Sequence, residues 1–178
     1  MREGHRQSDG AGNGGGQTSR NKRGKRQSWS PGDCFIVPLA DGSGLLGQVL
    51  QAEPGAMNSV SCAFYDQSVD GSALPGVVSP NPESLISVLF VTRELIDSGR
   101  WRIIGSCPIC VPRSLYPYES LRVKSFVGAK IIGGGIVEKF ANAIRGLRAW
   151  DDWHNPHYLD GLLISPQKKP ANLVYKAR

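Results

Sequence analysis

The chain lacks any long apolar run. Nothing in its 178 residues approaches the ~20 apolar positions of a membrane span. No secretory leader is expected either, because Arg2 and Arg6 are not followed by an apolar stretch of ~7–15 residues. A mitochondrial presequence needs an amphipathic helix, which a glycine-rich start does not form. Histidine is scarce, with only His5, His154 and His157, and neither G-x-S-x-G nor H-E-x-x-H occurs. Nucleophilic catalysis needs a base beside a nucleophile, so no catalytic residue is assigned. An acid–base pair assembled from distant segments stays open. These absences point to a cytoplasmic protein with no membrane contact, no cofactor and no small-molecule substrate.

What the chain does have is unevenly spread. Hydrophobic residues make up 40%, the mean hydropathy is −0.25 and the pI is near 9.3. The formal charge is +6. Residues 1–27 hold seven basic groups (Arg2, Arg6, Arg20, Lys22, Arg23, Lys25, Arg26) against Glu3 and Asp9, which leaves +5 there and +1 for the rest. The remainder is therefore nearly neutral, and the high pI says little about its partner. Met1 is the one large apolar residue of the leader, so residues 1–28 are expected to be a disordered basic Gly/Arg/Lys-rich tail. Residues 20–26 suit a nucleic-acid or membrane-surface arm, or else a solvated leader or mis-assigned start. No nucleic-acid partner is expected except weak contact through this tail.

From Trp29 onward, residues 29–178 read as one domain. The apolar, β-branched run 34–39 is a strand, and Pro38 demotes its end to an edge. Residues 41–44, starting Asp-Gly, form a hairpin loop. Strands follow at 45–50, 59–65, 85–91 and 101–104, with a sixth within 123–132. Gly47 inside a strand signals a bulge or a close backbone approach. Residues 66–82 read as a loop. Thr92 is placed to cap a short helix over 93–98 that Gly99 ends. Residues 133–135 form a flexible glycine joint. Ile136, Val137, Phe140, Ala143, Ile144 and Leu147 then recur with helical spacing, which predicts an amphipathic helix over 136–147. The fold class is α+β: a small curled antiparallel sheet or partial barrel of five to six strands, a C-terminal amphipathic helix and short added helices.

Cys34 and Cys62 sit in apolar runs and read as small buried hydrophobes. Cys107-Pro-Ile-Cys110 is a single CxxC. Together with His154 and His157 it offers four zinc ligands on paper, but the two histidines stand in a proline-broken segment. Pro108 and Pro112 favour a loop over the helix start that a thioredoxin-type site needs. Two loop thiols are the preferred reading, with no metal. Trp150, Trp153 and Tyr158 alternate with Asp151, Asp152 and Asp160. Tryptophan and tyrosine anchor protein interfaces, and neighbouring carboxylates suit a basic partner. These six residues are the candidate partner-binding set. The competing reading makes the tryptophans core residues and the acids helix-start charges.

The segment GDCFIVPLADG over residues 32–42, then GQVL over 47–50, resembles the opening motif of immunity protein 26 of bacterial polymorphic toxin systems. The closing segment, residues 158–170, is similar to that family's end. The resemblance implies a cytosolic antitoxin that binds a cognate toxin domain and blocks it, with no catalytic residues of its own. It carries over no contact residues. The same opening also resembles the barrel of ribonuclease toxins, so a small-barrel ribonuclease, or a nucleic-acid binder using the basic tail, is the alternative.

Overall fold

A computed structural model describes Met1 and residues 26–177. Nearly all of the expected tail lies outside the described residues. Contacts begin at Gln27, two residues ahead of Trp29. Its side-chain amide donates to the Ile96 and Trp101 carbonyls at 2.9 and 3.0 Å and its oxygen accepts from the Ile103 N–H at 3.1 Å.

Five strands follow: β1 (Asp33–Pro38), β2 (Gly44–Glu53), β3 (Ser59–Val69), β4 (Leu85–Val91) and β5 (Ile103–Ser106). They form one open antiparallel sheet in the order β4-β3-β2-β1-β5. The first four make a meander, through short loops at 39–43 and 54–58 and a longer connection at 70–84. Asp41 builds the first of these by accepting from the Ser43 N–H at 3.0 Å and the Ser43 hydroxyl at 2.6 Å. β5 returns to the free side of β1 and pairs only with Asp33, Cys34 and Phe35. The Pro38 end of β1 therefore has no partner there, which is where a residue without an N–H is tolerated. Register shifts at Cys34/Phe35, Leu45/Leu46, Val49/Gln51 and Phe64/Tyr65 twist and curl the sheet.

Period-two alternation sends side chains to two faces. One face carries Phe35, Val37, Leu45, Val49, Cys62 and Phe64 into the main core. There the Trp101 ring lies parallel to Phe35, with centroids 5.3 Å apart, and edge-on to Phe64. Gly47 answers to a close approach and not to a bulge: a Cβ there would lie 2.3 Å from the Phe35 ring. α2 (Gly134–Ile144) covers this face with Val137, Phe140, Ala141 and Ile144. The opposite face carries Cys34, Ile36, Leu46, Ala63 and Tyr65, covered by residues from the segment after β5.

Five expectations are corrected. There is no sixth strand in 123–132. Glu119–Lys124 is a 3₁₀ helix, and Tyr118, Ser125, Phe126 and Gly128 all take positive φ, which ends an extended run. Only Ile132 bridges Val91. The fifth strand starts two residues later than expected, at Ile103. Thr92 does not cap α1 (Glu94–Asp97), whose cap residue is Arg93; its hydroxyl accepts instead from the Gly134 N–H at 3.1 Å, at the start of α2. The glycine joint is a packing point, since a Cβ on Gly134 would meet Leu95 at 2.4 Å. α2 also ends three residues before Leu147, which is 40% exposed.

Candidate interaction surface

The aromatic-acidic segment folds mostly inward. Trp150 is fully buried against Phe140, and its indole N–H donates to Asp160 at 2.9 Å. The three carboxylates are engaged within the chain. Asp151 accepts from the Lys176 N–H at 2.8 Å. Asp152 pairs with Arg148 at 2.5 Å and with Lys176. Asp160 pairs with Lys169 at 2.8 Å and meets His157 at 3.2 Å. Burial works against the charge on Asp160, but hydrogen bonds from Lys169, Trp150 and His157 hold its carboxyl below the usual range. Trp153 and Tyr158 stack at 4.9 Å and are partly exposed, with Lys139 over the Trp153 ring. The Trp153 N–H is buried and has no hydrogen-bond partner among the described residues.

Sequence reasoning missed a cleft on the second face of the sheet. It has a volume of about 250 Å³. Pro80 and Pro82 wall one side, just before β4, and Pro108 and Pro112 line it from the loop after β5. Leu85, Val111, Leu115 and Ile164 supply apolar lining, and Lys168 is its one charged residue. Two polar strand residues, Gln48 and Tyr65, reach it from β2 and β3. Gln48 is buried and fully used. Its amide donates to the Cys107 carbonyl at 3.2 Å and sulfur at 3.0 Å, and its oxygen accepts from the Tyr65 hydroxyl at 3.2 Å. Burial pushes the Tyr65 phenol well above its usual range, so it stays neutral. The cleft draws on five separate stretches of chain. Only the cluster of prolines at 80, 82, 108 and 112 hinted at it.

Three of the four thiols, Cys34, Cys107 and Cys110, lie on the cleft side of the sheet, and Cys62 lies in the main core on the other. Cys110 is exposed and lines it, Cys107 is half-buried, and the Cys107 sulfur lies 3.5 Å from that of buried Cys34. Burial pushes the Cys34 thiol far up, with its contact to Cys107 adding to the effect. Burial does the same at Cys62. His157 is engaged with Asp160 elsewhere. Among the described residues no three His, Cys, Asp or Glu side chains gather as a metal site, so the four zinc ligands available on paper are not brought together.

A second cluster lies at one end of the sheet. Glu53, buried at the end of β2, accepts both guanidinium nitrogens of Arg122 at 2.9 and 3.0 Å and the Ser61 hydroxyl at 3.1 Å. Arg122 also holds Glu119, which Arg113 meets at 2.9 Å. This network pins the segment after β5 to the sheet, and within that segment Arg113 stacks over Tyr116 at 4.3 Å.

An open five-stranded antiparallel sheet backed by one helix, with an apolar cleft on its other face, defines a small α+β protein. The immunity protein 26 family model matches residues 30–123, more than half the chain, and the chain belongs to that family. The match takes in all five strands and ends before α2. The closing segment 158–170, and the six residues chosen between Trp150 and Asp160, lie outside it. No curated protein and no solved structure is significantly similar to the chain. No helix among the described residues is long and apolar enough to cross a membrane.

Proposed function

We propose that this chain is an immunity protein that binds a cognate bacterial toxin domain and neutralises it by direct contact, with no catalysis of its own. The observation that carries the reading is membership of the immunity protein 26 family across residues 30–123. The near-neutral charge beyond residue 27 favours a partner recognised by shape and apolar contact over one recognised by field alone. Trp153 and Tyr158, the partly exposed aromatic pair, are proposed as rim contacts. Asp151, Asp152 and Asp160 already have partners within the chain, so their exposure to a toxin is reduced. A reducing compartment suits thiols held 3.5 Å apart at Cys34 and Cys107, and the encounter is placed in the cytoplasm.

The test is affinity capture from the native bacterium on the full chain, followed by mass spectrometry and a growth assay with the captured partner. One toxin-like polypeptide at near-equal stoichiometry, lethal alone and harmless with this chain, is the expected result. Recovery of RNA with ribonuclease activity in the chain itself would sink the proposal in favour of the small-barrel nuclease.

A further inference from the structure

We propose that the proline-walled cleft is the anchor site for the toxin, taking an apolar side chain with a carboxylate beside it. This rests on the immunity reading and supplies its contact surface.

Three observations converge on it. The first is shape. At about 250 Å³ the cleft falls below the ~300–1,000 Å³ typical of small-molecule sites. It has the scale of one large anchor side chain. Proline fixes φ, so the walls carry little freedom that binding would have to remove.

The second is charge. Lys168 is half-buried at the cleft, and its ammonium donates to the Glu83 carbonyl at 2.7 Å. It meets no carboxylate among the described residues, and no acidic side chain lines the cleft. A partner carboxylate would complete its coordination, and a partner cation would be repelled.

The third is placement. Every lining residue except Ile164 and Lys168 lies within residues 30–123, the part matched by the family. Leu115 is 37% exposed at the cleft, and Val77, three residues before Pro80, is fully exposed. The apolar lining thus reaches the open surface at Leu115.

The experiment uses the full chain in two arms. In the first, 4-phenylbutyrate and 4-phenylbutylamine, which share an apolar body and differ in charge, are titrated while amide and methyl resonances are followed by NMR. The acid is expected to shift Leu85, Val111, Leu115 and Lys168, and the amine to bind more weakly. Lys168→Glu should cut affinity for the acid by about fivefold, the scale of a rim ion pair. Equal binding of both probes, or shifts centred elsewhere, overturns the proposal. In the second arm, Leu115→Glu and Lys168→Glu are tested against the captured toxin, with thermal melts confirming that each variant folds. Leu115→Glu is expected to weaken binding by about tenfold or more, as for an interface hot spot. Wild-type binding by both variants overturns the anchor site and leaves the immunity reading standing. Capture of no toxin by the wild-type chain overturns both, whatever the probes do.

Discussion

Glu53 and Arg122 stand 69 residues apart in sequence and meet in a two-pronged ion pair, with oxygen–nitrogen distances of 2.9 and 3.0 Å. The Glu53 side chain is 2% exposed and that of Arg122 30% exposed. A carboxylate this buried depends on its partner, because the lone charge has no water to replace it. Arg122→Met should therefore destabilise the fold by about 3 kcal/mol, the lower end expected for breaking a buried pair. Adding Glu53→Gln should recover part of that loss. Urea denaturation of the two variants checks this, and a double variant less stable than the single one would contradict it.

Gly47 is held to glycine by the ring of Phe35. A Cβ would lie 2.3–2.9 Å from three ring atoms, and the ring is itself clamped against Trp101. Gly47→Ala should cost about 1–3 kcal/mol through overpacking. Phe35→Leu in the same background should offset some of it. A thermal melt of Gly47→Ala that matches the wild type would refute the clamp.

Trp150 and Trp153 are close in sequence and opposite in role. Trp150→Ala removes a fully buried ring and its bond to Asp160, and should destabilise by about 3–5 kcal/mol. Trp153→Ala should cost clearly less, because the ring is partly exposed. Any loss of toxin binding by Trp150→Ala should follow its loss of folded protein, as circular dichroism on the same samples will show.

The four thiols should react in order of exposure. Cys110 is exposed, Cys107 half-buried, and Cys34 and Cys62 buried, with burial keeping the latter two protonated. Only the thiolate is nucleophilic. Iodoacetamide with peptide mapping should label Cys110 first, Cys107 next, and Cys34 and Cys62 only on unfolding. Early labelling of Cys34 would contradict the packing of β1 against the Cys107 loop.

Acid should unfold the protein through a small group of paired carboxylates. Asp97, Glu119, Asp152 and Asp160 all titrate below their usual range. At Asp97 burial opposes this and is outweighed by bonds from Arg93 and Trp29. At Glu119 the leading cause is Arg122, and at Asp152 it is Lys176. Because the folded values lie below the unfolded ones, the unfolded chain takes up protons first as pH falls. The stabilisation is complete above the ordinary carboxylate values of ~3.9–4.3 and is lost as pH drops through the depressed folded values. The urea midpoint should stay level from pH 7 to about 5 and fall below about 4. A level midpoint down to pH 3 would remove these pairs from the account.

The sheet was legible because its signals are local. Alternating apolar residues marked β1 to β4 to within a few residues, and the 3.6-residue period marked α2. The sixth strand misled for an identifiable reason. Residues 123–132 hold β-forming side chains, but the preceding turn is set by the bond from Arg122 to Glu53, and left-handed backbone at Ser125 and Phe126 breaks the extension. Local propensity lost to a tertiary contact. Thr92 was read as a cap correctly in kind and for the wrong helix, since its partner Gly134 lies 42 residues away.

Sequence by itself determined the class of fold, the strand pattern, the near-neutral charge beyond residue 27 and the family resemblance, because each is written in composition, period or a contiguous motif. Tertiary structure alone decided which aromatic residues are surface and which are core, sending Trp150 inward to Asp160 while leaving Trp153 at the edge. It alone assembled the cleft, because Gln48, Tyr65, Pro80, Val111 and Lys168 become neighbours only when β2, β3 and three connecting segments are brought together. A periodic pattern reports which way a side chain faces. It carries no information on which distant segment will cover it.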